Sequence, residues 1–183
     1  MPLNDDFIAR IDRDCVALPG VPLRGLPVVI DTNTVLDMIF WNDKAAAPLT
    51  AALRDGRVTA VRDREVMIEL AEVLSRAHFL GTEEAALKAT AAWCASTAPA
   101  DEEKVKETGA ALTVRCRDPL DQKFLDLAAA TGAKLLVTKD KLVLKAGKRL
   151  KRFGVTTLKP EEAAAAIDGL THGLTGEGAG PDD

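Results

Sequence analysis

The segment Pro27-Val28-Val29-Ile30-Asp31-Thr32-Asn33-Thr34-Val35-Leu36 constrains the fold of this chain more than any other ten residues. Its β-branched residues make a short, wholly apolar strand that stops at a carboxylate. An apolar run without polar alternation reads as a strand covered on both faces, the usual condition in a parallel sheet. Open α/β sheets keep their chemistry at the carboxyl ends of the strands. Asp31 stands at such an end, with Thr32, Asn33 and Thr34 beside it and a helix starting behind. A plain N-cap uses the same residue types. The segment by itself leaves capping and chemistry both open.

Further along, turn and cap signals divide the chain into alternating elements. Residues 1–26 read as an N-terminal arm, with a short amphipathic helix over 6–14 and then Pro19, Gly20, Pro22 and Gly25 as breaks. Short helices are expected at 35–41 and 45–54, and a strand at 57–61. Asp63 caps a helix over 64–76, whose Val66, Leu70, Val73 and Leu74 form one stripe. A second long helix covers 83–96; the polar stretch 97–107 has no clear assignment, and 110–114 reads as a strand. Asp118-Pro119 opens a helix that Gly132 closes. Strands at 134–138 and 153–158 flank a short helix at 141–146, and a last helix covers 160–170. The pattern predicts an α/β sandwich with a parallel sheet between two helical layers, one domain over 27–168 and a disordered tail over 169–183.

Several function classes are poorly served by this composition. With only His78 and His172, a Ser-His-Asp triad, a Cys-His pair or a multi-histidine zinc site has almost nothing to be built from. Cys15, Cys94 and Cys116 are odd in number and far apart, which argues against a disulfide framework and for a cytoplasmic protein. The start of the chain lacks the pattern of a signal peptide, and no apolar run approaches a membrane span of ~20 residues. Net charge is −4, so any grip on nucleic acid has to be local. Chemistry in this chain falls to carboxylates.

Those carboxylates recur at strand and helix ends. Asp140 follows the strand at 134–138; a turn residue between Lys139 and Lys141 is the plainer reading. Asp121 lies in the first turn after Asp118-Pro119, where it either completes a capping box or faces a crevice. Glu69 borders the apolar stripe of its helix, whereas Glu65 and Glu72 face solvent more plainly. Four acids in one crevice raise each other's pKa, and a hard divalent cation such as Mg²⁺ or Mn²⁺ relieves them. Such an ion retains water that can be activated against a phosphodiester.

The ordered set Asp31-Thr32-Asn33, Glu65-Val66-Met67-Ile68-Glu69-Leu70, Arg117-Asp118-Pro119-Leu120-Asp121-Gln122-Lys123-Phe124-Leu125 and Leu136-Val137-Thr138-Lys139-Asp140 resembles a PIN domain, most of all the bacterial toxins of toxin–antitoxin pairs. The resemblance spans roughly Pro27 to Glu162. It implies a five-stranded parallel sheet and Mg²⁺- or Mn²⁺-dependent cleavage of RNA. It also implies a dimer and an antitoxin partner. Carried over by position, Asp31, Glu69, Asp121 and Asp140 are the metal-binding and catalytic acids, with Asn33 and Thr138 as polar helpers and Asp118 as an accompanying acid. Seven cations between Lys139 and Arg152 form a basic ridge beside them. Lys139, Lys141, Lys145 and Arg117 are its RNA-binding candidates, against a solvated charged face or a dock for an acidic partner. Phe40 and Trp41 read as core rather than as base-stacking groups. Two alternatives stand beside the nuclease: a non-catalytic PIN-like binding module, and a haloacid-dehalogenase-type phosphatase with Asp31 as nucleophile. The latter lacks its second acid, since Asn33 holds that place.

Overall fold

The computed structural model of the chain describes residues 4–175. Strands β1 (Leu26–Ile30), β2 (Val58–Arg62), β3 (Ala98–Pro99), β4 (Leu135–Val137) and β5 (Thr156–Leu158) form one five-stranded sheet in the order β3-β2-β1-β4-β5. Every pairing is parallel. β1 is central, with Val28 opposite Ala60 on one side and Ile30 opposite Val137 on the other. Val28 and Val29 are fully buried, which explains the missing polar alternation. The chain runs outward from β1 through β2 and β3, then returns to β4 on the opposite side. The strand order therefore reverses between β1 and β4, and a crevice opens there at the carboxyl edge.

The helices are α1 (Asp5–Ile11), α2 (Thr32–Leu36), α3 (Ala47–Arg54), α4 (Arg64–Ser75), α5 (Glu83–Ala95), α6 (Glu102–Ala111), α7 (Gln122–Thr131), α8 (Lys141–Gly147) and α9 (Ala163–Thr175). With the sheet they make the three-layer α/β/α sandwich that the pattern predicts. Asp63 caps α4 by accepting a hydrogen bond from the Val66 amide at 3.0 Å. Gly132 ends α7 in the left-handed conformation, at φ 62°. α8 lies close on β5: a Cβ at Gly147 would come within 2.3 Å of the Thr157 hydroxyl oxygen.

The residues before β1 share the core of those after it. α1 continues as a π-helical turn, Asp12–Val16, and Phe7, Ile11 and Cys15 are buried. Burying Phe7 and Ile11 contributes about 1.5–3 kcal/mol each. Arg62, 2% exposed, anchors this segment by donating to the carbonyls of Val16 and Leu18 at 3.2 and 2.6 Å.

Three expectations change. The stretch 97–107 holds the two-residue strand β3 and most of α6. No strand forms at 110–114: α6 takes the first two residues, and 112–116 alternate buried with exposed side chains but join no ladder. The Gln122 side chain takes the place of a neighbouring strand, accepting from the Cys116 amide at 2.8 Å and donating to the Val114 carbonyl at 3.1 Å. α9 runs to Thr175, past the expected end, and the rest of the expected disordered tail, 176–183, lies outside the described residues. Among the described residues, no helix is long and apolar enough to cross a membrane.

Candidate active site

The crevice is built first from the ends of β1 and β4. Asp31 leaves β1 in an extended conformation, and its carboxylate accepts from the Thr34 amide at 2.7 Å, capping α2. It is therefore an N-cap, as its residue type allows, and it is also 97% shielded from solvent (3% exposed). Burial pushes the Asp31 carboxyl above the usual carboxylate range, against hydrogen bonds from Thr138 and Thr34. The Thr138 hydroxyl donates to Asp31 Oδ2 and in turn accepts from the Asp140 amide at 2.9 Å. Asp140 caps α8, one oxygen accepting from Leu142 and Val143 amides at 2.6 and 3.0 Å. Parallel pairing of β1 with β4 thus links Asp31, Thr138 and Asp140.

The second group arrives on α4 and at the start of α7. Asp118 accepts from the Leu120 amide at 2.9 Å and begins a 3-10 turn, Pro119–Asp121. Asp121 makes no side-chain cap, so the capping-box alternative falls away. Its carboxyl is pushed up to about 6, first by burial and then by the negative charges of Asp118 and Asp140; Glu69 adds a smaller push and Lys123 opposes it. Glu69, Asp118 and Asp121 line one cavity of about 650 Å³. Within it, Lys123 forms an ion pair with Glu69 and donates to the Leu120 carbonyl.

Another cavity, of about 360 Å³, is lined by Asn33, Asp37, Trp41, Lys139 and Asp140, among others. Asn33 is exposed there, while Asp31 lies beneath, lining neither cavity. The acids therefore meet along one edge in three settings: Asp31 buried, Asp140 in one cavity, Glu69 and Asp121 in the other. Among the described residues, no three acid, histidine or cysteine side chains close into a ready cation cage. The donors present are carboxylate oxygens without histidine, and their mutual repulsion is felt at Asp121. That chemistry fits a hard divalent cation rather than zinc.

The basic candidates separate as well. Lys139, one of the expected RNA-binding candidates, pairs with Asp37 at 2.5 Å and lies 3.8 Å from Asp43. Arg117, Lys141 and Lys145 are exposed and enter no ion pair among the described residues. Trp41 is not core: it is 57% exposed and meets Phe40 edge to face at 4.7 Å. Sequence reasoning missed Lys123 and Asp37. Asp37 lies six residues past Asp31 and Lys123 two past Asp121, spacings that carry no signal of their own.

The fold and its acid-lined edge define an α/β/α protein with a carboxylate site at the sheet's point of reversal. A family model for the PIN domain matches residues 27–142, and the chain belongs to the PIN domain family. PIN domains are generally nucleases, and such nucleases typically use divalent metal ions. A chain from the crystal structure of VapBC2 from Rickettsia felis, bound to a DNA fragment from their promoter, shares the fold at a TM-score of 0.52. It is 16% identical over 73% of this chain and 98% of that one. No curated protein matches the chain. Family membership displaces the phosphatase alternative.

Proposed function

We propose that the protein is a metal-dependent endoribonuclease that hydrolyses RNA phosphodiester bonds in the cytoplasm, as the toxin of a toxin–antitoxin pair. The observation that carries this reading is the gathering of Glu69, Asp118, Asp121 and Asp140 at the reversal of strand order, close enough that the other three add to the rise that burial imposes on the Asp121 carboxyl. Asp31, Glu69, Asp121 and Asp140 would hold Mg²⁺ or Mn²⁺. When bound, the ion supplies positive charge to the scissile phosphate and lowers the pKa of a water. Asp121, on the cavity wall with Glu69 and Asp118, is placed to orient the attacking water. Thr138 fixes Asp31 and the Asp140 backbone relative to each other, which keeps the acids oriented. Asn33 is the polar neighbour at the rim, and Asp118 maintains the field at Asp121. Arg117, Lys141 and Lys145 hold phosphates beside the cut.

The likeness to VapBC2 from R. felis supports an antitoxin partner, and we extend it to a homodimer. A second reading, a non-catalytic PIN-like binding module, is favoured by one observation: Lys123 already neutralises Glu69. Incubating the purified protein with structured and unstructured RNAs in Mn²⁺, Mg²⁺ or chelator separates the two. Metal-dependent cleavage that Asp140→Asn abolishes supports the nuclease. RNA left intact in every condition, with binding retained, supports the module.

A further inference from the structure

A third concave feature lies beside the acids and has the opposite charge. Its volume is about 400 Å³, and its walls are Arg115, Arg117, Leu142, Lys145, Ala146 and Arg149, with no acid among them. One wall is the segment 112–118 and the other is α8 with the turn that follows it. Several arginines elsewhere pair with acids, as in Arg10–Glu84, Arg57–Asp168 and Arg64–Asp12. Among the described residues, none of the four cations in this trough enters an ion pair. Two are nonetheless held in place: Arg149 donates to the Arg115 carbonyl and Arg115 to the Gly109 carbonyl, each at 3.2 Å. Carbonyls orient a guanidinium without neutralising it.

Both walls lead to the acidic edge. The segment 112–118 ends at Asp118 and runs into the turn that carries Asp121, and α8 starts at Asp140. Lys145 lies five residues beyond Asp140, roughly 8 Å along the helix. Like charges gathered in a concavity repel one another, and a protein of net charge −4 gains nothing from concentrating them unless an anion fills the space. The oriented arginines match the forked geometry of phosphate recognition.

We propose that the trough lined by Arg115, Arg117, Lys145 and Arg149 is a phosphate-binding subsite, which guides an RNA strand from the acidic edge down between segment 112–118 and α8. The inference rests on the RNA-cleaving reading and adds Arg115 and Arg149, together with the direction in which the strand leaves the cut. A strand held this way is read through its backbone, so the subsite confers length dependence and little base preference.

The test measures binding apart from cleavage. Anisotropy of a fluorescein-labelled polyuridine RNA of roughly 12 nucleotides, a length within single-strand site sizes, is followed in EDTA across a salt series. Arg149→Glu and Lys145→Glu are each expected to weaken binding about tenfold and to lower the salt slope by about one. Lys88→Glu, an equal charge change on exposed α5, is expected to shift it less than about twofold. Equal effects from all three variants, or none from the first two, overturn the subsite. Tighter binding of polyglutamate than of RNA also overturns it, in favour of an acidic protein partner. Cleavage by the parent protein keeps the two ideas apart: trough-dependent binding with no Mn²⁺-dependent cleavage sinks the nuclease alone, and cleavage indifferent to Arg149→Glu sinks the subsite alone.

Discussion

The Thr138 hydroxyl donates to the buried Asp31 carboxylate across 107 residues of sequence, and the same oxygen accepts from the Asp140 amide. One side chain thereby sets the spacing of the two strand ends that carry the site. Valine at this position keeps the shape and removes both bonds. Thr138→Val is expected to lose about 1–3 kcal/mol in urea denaturation, because Asp31 stays buried with a donor missing. RNA cleavage is expected to fall with it.

Asp63 supplies a pH dependence whose sign follows from its setting. Burial pushes its carboxyl up to about 6, against the hydrogen bond from the Val66 amide, with Glu102 and Glu65 adding to the rise. The folded protein therefore binds this proton more tightly than the unfolded chain does. The stabilisation is complete below the unfolded pKa, ~3.9, and is lost as pH climbs through about 6. Asparagine caps helices as well as aspartate. Asp63→Asn is expected to be more stable than the parent by roughly 1–2 kcal/mol at pH 7 and close to equal near pH 4. Thermal melts at the two pH values read the difference; equal stability at pH 7 contradicts it.

Lys123 is the cation that already serves the acidic cavity. Lys123→Gln removes the charge from Glu69 and from the field at Asp121. In EDTA this variant is expected to melt lower than the parent by roughly 2–4 °C. Added Mn²⁺ is expected to stabilise it more than the parent, since the ion meets less competing positive charge. Calorimetric titration with Mn²⁺ checks the second half; an affinity equal to the parent's counts against a metal site at these acids.

Among the described residues, Arg62 is the largest fully buried side chain, and it donates to the carbonyls of Val16 and Leu18. Arg62→Ala leaves a cavity and strands the Val16 and Leu18 carbonyls, so a loss of about 2–4 kcal/mol is expected. Hydrogen exchange at residues 5–18 is expected to quicken more than in the sheet.

Much of this arrangement is legible in the residues. The apolar run ending at Asp31, the cap at Asp63 and the stop at Gly132 carry their own local physics, and each forms as its residue type dictates. β3 escapes such reading because it is two residues long and one is a proline; only its place beside Val61 and Arg62 makes it a strand. α6 buries no residue fully, so it lacks an apolar stripe to announce it. The alternation at Leu112, Val114 and Cys116 is the pattern of a strand, but it does not signal that Gln122 would take the place of a neighbouring strand. Lys139 shows the limit at the site: a lysine after a strand looks free until the fold brings Asp37 against it. Ion pairs between distant positions have no periodicity to betray them.

The packing of α1 also bears on how the chain is made. Cys15 rests against the Leu87 carbonyl, and the segment behind it is anchored by Arg62. During synthesis the apolar face of α1 thus stays without its full docking surface until α4 and most of α5 have followed it. Synthesis at roughly 5–20 residues per second leaves its apolar face waiting for several seconds. During that interval α4 is the partial cover that the chain itself supplies.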